Sequence, residues 1–490
     1  MKSKRIVKKV LLLSLAMSLM IPLFTACTSS ESSKGEGNQV LRIGILNGIS
    51  DDSHFRNQYT DIFEITNKGV RIEIVPAVNQ DARRYEDHNN PTAKAEDGLA
   101  NLKKLLTGSN PVDVVVADVH SYQALVRDGL LKDISPLVQK ENIDLTKYVP
   151  AVIDGIKALG DGKLYGLTPS FDASAIYYNK KLFKEAGVDF PRDGMDWDEL
   201  FTLAQRVSKG EGKARTYGFS FSQHSSDLNT AVDMYTKPLN LLKFDEKGEK
   251  MLVNSPQWKR ALEKLVKLYR DKTVMSEQPQ WSEKSGPLDY DLFLSGRTAM
   301  VVGSYFFAQS VNDAMQNAGK IKGFTPFEWD VVTLPEHREM PGVNSSIQLS
   351  DIISINAKAN NPELAWKFLE FSNSEDIIKL KSRNSYNLVS IKSLINKSEK
   401  ANYNIEAFYK MKPLPPNKND IQMSKLFEQK PNIHYILELE HQMMYKMLAS
   451  KKSVDEFLKD WESKGNSLLQ QIKKTPRGNL SESVLQIIHN

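Results

Sequence analysis

The chain has 490 residues, with 65 Lys and Arg against 60 Asp and Glu, 40% apolar residues and one cysteine. That length exceeds one ordinary core and predicts two domains or lobes, while near-average apolar and charged fractions exclude collagen-like, wholly disordered and polytopic membrane classes. The small basic excess sits in the first nine residues, so the remainder is formally neutral and carries no footprint for nucleic acid.

In chain order, Lys2, Lys4, Arg5, Lys8 and Lys9 precede an apolar run from Val10 to Phe24 that Pro22 interrupts. A basic stretch feeding an apolar run too short to span a bilayer reads as an export signal, residues 1–26. Leu23, Phe24, Thr25, Ala26, Cys27 resembles the end of a bacterial lipoprotein signal, which implies that Cys27 is lipidated and holds the protein to the outer face of the cell membrane. Residues 27–39, rich in Ser, Gly, Glu and Lys, read as a solvated tether. With its one cysteine so used, the chain has no internal disulfide.

From Val40 to Leu46 a short apolar run predicts a buried strand, followed by a polar loop and a segment of helical period. Val70 to Val75 and Val112 to Ala117 predict further strands. Strands alternating with helices predict an open α/β sheet, whose ligands sit at the carboxyl ends of the strands. The loops after Leu46 and Ala117 are therefore candidate ligand loops, with Asn47 and Asp51 in the first and Asp118 in the second. Asp118 also suits the N-cap of the next helix. Asp51, Asp52 and His54 read as a solvated turn rather than a metal site.

Asp196 with Glu199 predicts a capped helix over Leu200 to Val207; Ser255 with Pro256 and Asn361 with Pro362 predict two more. Trp197, Trp258 and Trp366 fall in these helices and read as core. The proline-rich segment from Lys412 to Asp420 predicts a loop, and Ile421 to Leu485 predicts helices.

The run Tyr165, Gly166, Leu167, Thr168, Pro169, Ser170, Phe171, then Ala175 to Val188 and on to Asp196, Trp197, Asp198, Glu199, Leu200 resembles the signature of family 1 extracellular solute-binding proteins. Phe293 to Met300, then Val332 to Pro335 with Ile352 to Asn356 leading into Asn361 to Leu369, are similar to that family's later signatures, while Ile347 to Asp351 stand where many relatives carry glycines. The resemblance implies a type II periplasmic-binding-protein-like clamshell, α/β in class, with discontinuous lobes joined by crossing strands. The chain would cross near Leu167 to Pro169, return near Val301 to Tyr305 and cross again near Phe371, giving 40–168 plus 303–371 as one lobe and 169–302 plus 372–490 as the other. It also implies a sugar or oligosaccharide as ligand, ABC permease transmembrane subunits as partners, a monomer, and no cofactor, metal or catalysis.

A sugar needs amides and carboxylates for its hydroxyls and aromatic rings for its C–H face. Phe171 and Asp172 after the first crossing, Tyr305 and Phe306 after the return, Trp281 in a polar loop and Asp351 before the strand from Ile352 are the further candidates. Tyr305 stands where the family often places a stacking aromatic; packing between the lobes is the other reading. Two different functions remain open from sequence alone. One is capture of a peptide, polyamine or anion, or ligand presentation to a sensor; the other is a secreted glycosidase with paired carboxylates. Gly218, Phe219, Ser220, Phe221, Ser222 lacks the last glycine of a hydrolase elbow, and Gly212 with Lys213 lacks the rest of a phosphate loop.

Overall fold

A computed structural model describes residues 39–81, 97–224, 227–276, 286–383, 386–395, 402–415, 418–450 and 452–489. The export signal, Cys27, the tether as far as residue 38 and Trp281 lie outside the described residues. Among the described residues twelve strands follow in order: β1 Gln39–Gly48, β2 Val70–Asn79, β3 Val114–Ala117, β4 Gly166–Leu167, β5 Ser170–Asn179, β6 Met300–Ser304, β7 Trp329–Val332, β8 Val343–Asn344, β9 Ile347–Leu349, β10 Ile352–Ile355, β11 Leu388–Val389 and β12 Lys412–Pro413.

The first sheet has the order β2-β1-β3-β10-β4, with β1 parallel to β2 and β3, and β10 antiparallel to β3 and β4. Its central strand β3 is buried along its length, as a Val-rich strand covered on both faces should be. In the second sheet β5 is the axis, antiparallel to β11 and β9 near its start, to β6 along its middle and to β7 at its end. Its alternation serves two cores: Phe171, Ala173, Ala175 and Tyr177 join the core under the first sheet, while Ile176 and Tyr178 join a second core of helices.

The capped helices form where their signals stand. Asp196 and Glu199 make a reciprocal capping box for Trp197–Val207, and Ser255 caps Pro256–Arg270. Trp258 meets Trp461 of the helix Val454–Lys474 edge-on, with centroids 5.3 Å apart, which fastens the C-terminal helices to the second core. Lys412–Pro413 pairs with β8 and the helix Lys418–Gln429 begins inside the segment expected to be a loop. Pro413 fits there because a two-stranded pair is all edge and needs no N–H from it.

Among the described residues three connections join the sheets: Thr168–Pro169 between β4 and β5, Ser350–Asp351 between β9 and β10, and the passage from the helix Glu375–Lys381 to β11, of which residues 382, 383, 386 and 387 are described. The first two are tied to each other, and the first also to the residue that follows β11. The buried Thr168 hydroxyl lies 2.7 Å from the Ser170 carbonyl and 2.9 Å from that of Ser350, and Ser390 N donates to Pro169 O at 3.0 Å. The chain passes from the first sheet to the second between β4 and β5. The return is not at Val301 to Tyr305, because β6 pairs with β5 from Tyr178↔Met300 to Ser174↔Ser304 and stays in the second sheet. For the same reason β7 and β9, within the 303–371 stretch grouped with the first lobe, belong beside β5. Strand partnership is a long-range choice that local pattern does not record.

Candidate functional site

The carboxyl ends of β1 and β3 and the first residue of β10, Ile352 opposite Ala117, share one edge of the first sheet. The start of β5, the end of β6 and β9 face it from the second sheet. A cleft of about 340 Å³ opens between them, its walls including Asn57, Gln58, Tyr59, Asp351, Lys381 and Asn387. That size lies within the range of small-molecule sites. A larger depression of about 510 Å³, beside Glu263, Arg270 and Ser453, is a shallow groove on the helical surface, remote from any crossing.

The chain leaves β1 through a helical turn whose next residues, Arg56–Thr60, wind as a π-helix before Asp61–Thr66 continues as α-helix. Such widened turns are rare and concentrate at functional sites. Arg56 anchors it: Nε donates to both Asp52 oxygens at 2.9 and 3.0 Å, Nη1 to Glu64 at 3.1 Å and Nη2 to the Ile72 carbonyl at 3.1 Å. The adjoining residues Asn57, Gln58 and Tyr59 then line the cleft.

Tyr59 donates its hydroxyl to Asp351 Oδ2 at 2.8 Å, and burial together with the Asp351 charge raises the pKa of that phenol. Asp351 has φ +49°, in the left-handed region that Asp and Asn tolerate better than other residues with a Cβ. Lys381 Nζ sits 4.2 Å from the Tyr59 ring centroid and donates to the Gln58 carbonyl at 3.0 Å. Burial pushes the pKa of this ammonium down, against the pull of Asp351.

Asp172 accepts from Asn387 Nδ2 at 2.5 Å, and its carboxyl is held above the ordinary range by partial burial and by the charge of Asp351. Gln348 is its cross-strand neighbour and is exposed. Next to Asn387, Tyr386 stacks on Phe306 with centroids 4.6 Å apart and planes 12° from parallel. The half-buried Phe306 and exposed Tyr386 thus present aromatic surface beside a carboxylate.

Of the residues singled out from sequence, Asp351 lines the cleft, Asp172 is bonded to the lining residue Asn387, and Phe306 stacks on Tyr386 next to it. Phe171 is fully buried and faces the core, because β5 alternates and its neighbour Asp172 takes the outward position. Tyr305 is half-buried, its ring edge-on to Phe408 at 5.6 Å and its hydroxyl bonded with Tyr403, so much of it serves packing. Asn47 and Asp51 are exposed and outside the cleft lining; Asn47 Oδ1 accepts from Gln80 and Asp51 accepts from Ser53 N. Asp118 caps the helix Val119–Arg127, accepting from Ser121 N at 2.8 Å. Tyr59, Lys381, Tyr386 and Asn387 were invisible to motif reading, since a π-helical turn and the third crossing carry no sequence signature. Among the described residues no group of three or more His, Cys, Asp or Glu is placed to hold a metal ion, and no helix is long and apolar enough to cross a membrane.

Residues 72–378, well over half of the chain, match the family model described as bacterial extracellular solute-binding protein. The chain belongs to that family. As a solute-binding protein it is 23% identical over 380 residues to the arabinooligosaccharide-binding protein of Bacillus subtilis (strain 168), covering 75% of this chain and 77% of that one. It is 24% identical over 279 residues to an uncharacterized ABC transporter extracellular-binding protein of Pyrococcus horikoshii, 55% of this chain and 56% of the relative. Its fold is similar to that of a sugar transporter from Rhizobium etli in an open conformation, with TM-score 0.57, 20% identity and coverage of 87% of this chain and 99% of that one. The two-lobed α/β fold of solute-binding proteins is thus the fold of this chain.

Proposed function

We propose that the chain is the substrate-binding lipoprotein of an ABC importer and captures a sugar or oligosaccharide between its lobes. The observation that supports this reading is the composition of the cleft and its border: the Asp351 carboxylate and the amides of Asn57, Gln58 and Asn387 line it, a second carboxylate, Asp172, is bonded to Asn387, and the neighbouring Tyr386 stacks on Phe306. Carboxylates and amides suit hydroxyls, and ring faces suit the C–H side of a pyranose or furanose. The names of the Bacillus subtilis relative and the Rhizobium etli structure favour the same class of ligand.

Residues 39–168 with 351–383 form one lobe in this proposal, and 170–350 with 386–489 the other. Ligand bridging both favours the closed form by its differential affinity for it, and the permease reads that form. The role requires no covalent chemistry. Lipidation of Cys27 holds the protein, as a monomer, to the outer face of the membrane. Titration calorimetry with neutral oligosaccharides, arabinooligosaccharides among them, and chromatography of the same mixtures test the reading. Heat of binding with unaltered sugars is expected. Hydrolysis of any of them, or silence across the panel with binding of a peptide or polyamine, would overturn it.

A further inference from the structure

We propose that Asp172 and Asp351 make the cleft selective by charge, so that it accepts neutral glycans and rejects those whose contacting group is a carboxylate, as in uronic acids. The inference rests on the sugar reading above. Asp351 stands between the sheets and lines the cleft, Asp172 lies near the start of β5 and is bonded to the lining residue Asn387, and each is served by a neutral donor: the Tyr59 hydroxyl for Asp351 at 2.8 Å and the Asn387 amide for Asp172 at 2.5 Å. Among the described residues neither has an ion-pair partner within 4.0 Å. They also feel one another, since the charge of Asp351 adds to burial in raising the pKa of Asp172.

An ionised carboxylate only accepts hydrogen bonds, so the capacity left on these two groups calls for donors. Sugar hydroxyls supply donors; a ligand carboxylate supplies a third acceptor and a like charge, the juxtaposition by which binding sites exclude wrong partners. Lys381, the one cation among the described residues lining the cavity, does not reverse this. Its ammonium already donates to the Gln58 carbonyl and lies over the Tyr59 ring, an engagement that a ligand carboxylate would have to disrupt.

The test uses the mature chain, a panel of neutral oligosaccharides, and the same sugars with one primary hydroxyl oxidised to a carboxylate, by titration calorimetry at neutral pH. Wherever a neutral member binds, its oxidised counterpart should bind at least about tenfold more weakly. In Asp172→Asn and in Asp351→Asn, which keep size and one acceptor, the gap should narrow to about threefold or less. Thermal midpoints close to that of the parent would show that both variants are folded. Equal or tighter binding of the oxidised sugars, with Lys381 as their partner, would overturn the charge selection while leaving the sugar reading intact. So would a gap that persists in both variants. Silence across the whole panel would remove the sugar reading and this inference with it.

Discussion

Asp351 offers a perturbation whose consequences for binding and for folding can be separated. Asparagine keeps the side-chain carbonyl that accepts from Tyr59 at 2.8 Å and is at ease at φ +49°. What it removes is charge. A hydrogen bond to a charged group contributes about 1.5–3 kcal/mol and a neutral one about 0.5–1.5, so Asp351→Asn should weaken each ligand contact by about 1 kcal/mol, roughly fivefold in affinity. Alanine does more, because it places a Cβ-bearing residue without a polar side chain in the left-handed region, at about 1–2 kcal/mol, and leaves the Tyr59 hydroxyl without this acceptor. Asp351→Ala should therefore lose both affinity and thermal stability, whereas Asp351→Asn should lose affinity alone. Calorimetric titration with a bound oligosaccharide and differential scanning of the unliganded variants measure the two quantities. An unchanged Kd in Asp351→Asn would refute the assignment of Asp351 to the ligand.

Phe306→Ala should weaken sugar binding by about 1 kcal/mol or more through loss of the stack with Tyr386, while the half-exposed position keeps the apo melting temperature near that of the parent. Phe171→Ala should show the opposite pattern, a loss of about 3–5 kcal/mol in stability from its buried place, with ligand affinity retained in the folded fraction; weakened binding by folded protein would bring Phe171 back into the site. Far from the cleft, Glu440 is buried with Lys243 Nζ at 2.6 Å, and burial pushes its carboxyl up to about 7 despite that cation. A raised folded pKa means that its contribution to stability is complete below its ordinary value near 4.5 and is lost as pH rises through about 7, a slope that denaturant titrations should find abolished in Glu440→Gln. Cys27→Ser should leave the protein in the supernatant after membrane sedimentation; a variant that still pellets would show a different anchor.

Local signals placed the helices because a cap acts within three residues: Asp196 with Glu199, and Ser255 with Pro256, carry their instructions in the chain. Val-rich β3 likewise declared itself buried. Asp172 and Asp351 were legible as candidates because they stand at the ends of recognisable strands. The partners that complete the cleft come from elsewhere. Tyr59 reaches Asp351 across 292 residues of sequence through a π-helical turn, and Asn387 reaches Asp172 across 215. The inward turn of Phe171 and the retention of β6 beside β5 follow from strand register. Short-range patterning thus determined the family, the helices and both members of the carboxylate pair as candidates; tertiary structure decided which strands cross and which side chains meet. Pairing energy between distant segments is summed over contacts that no stretch of sequence contains by itself.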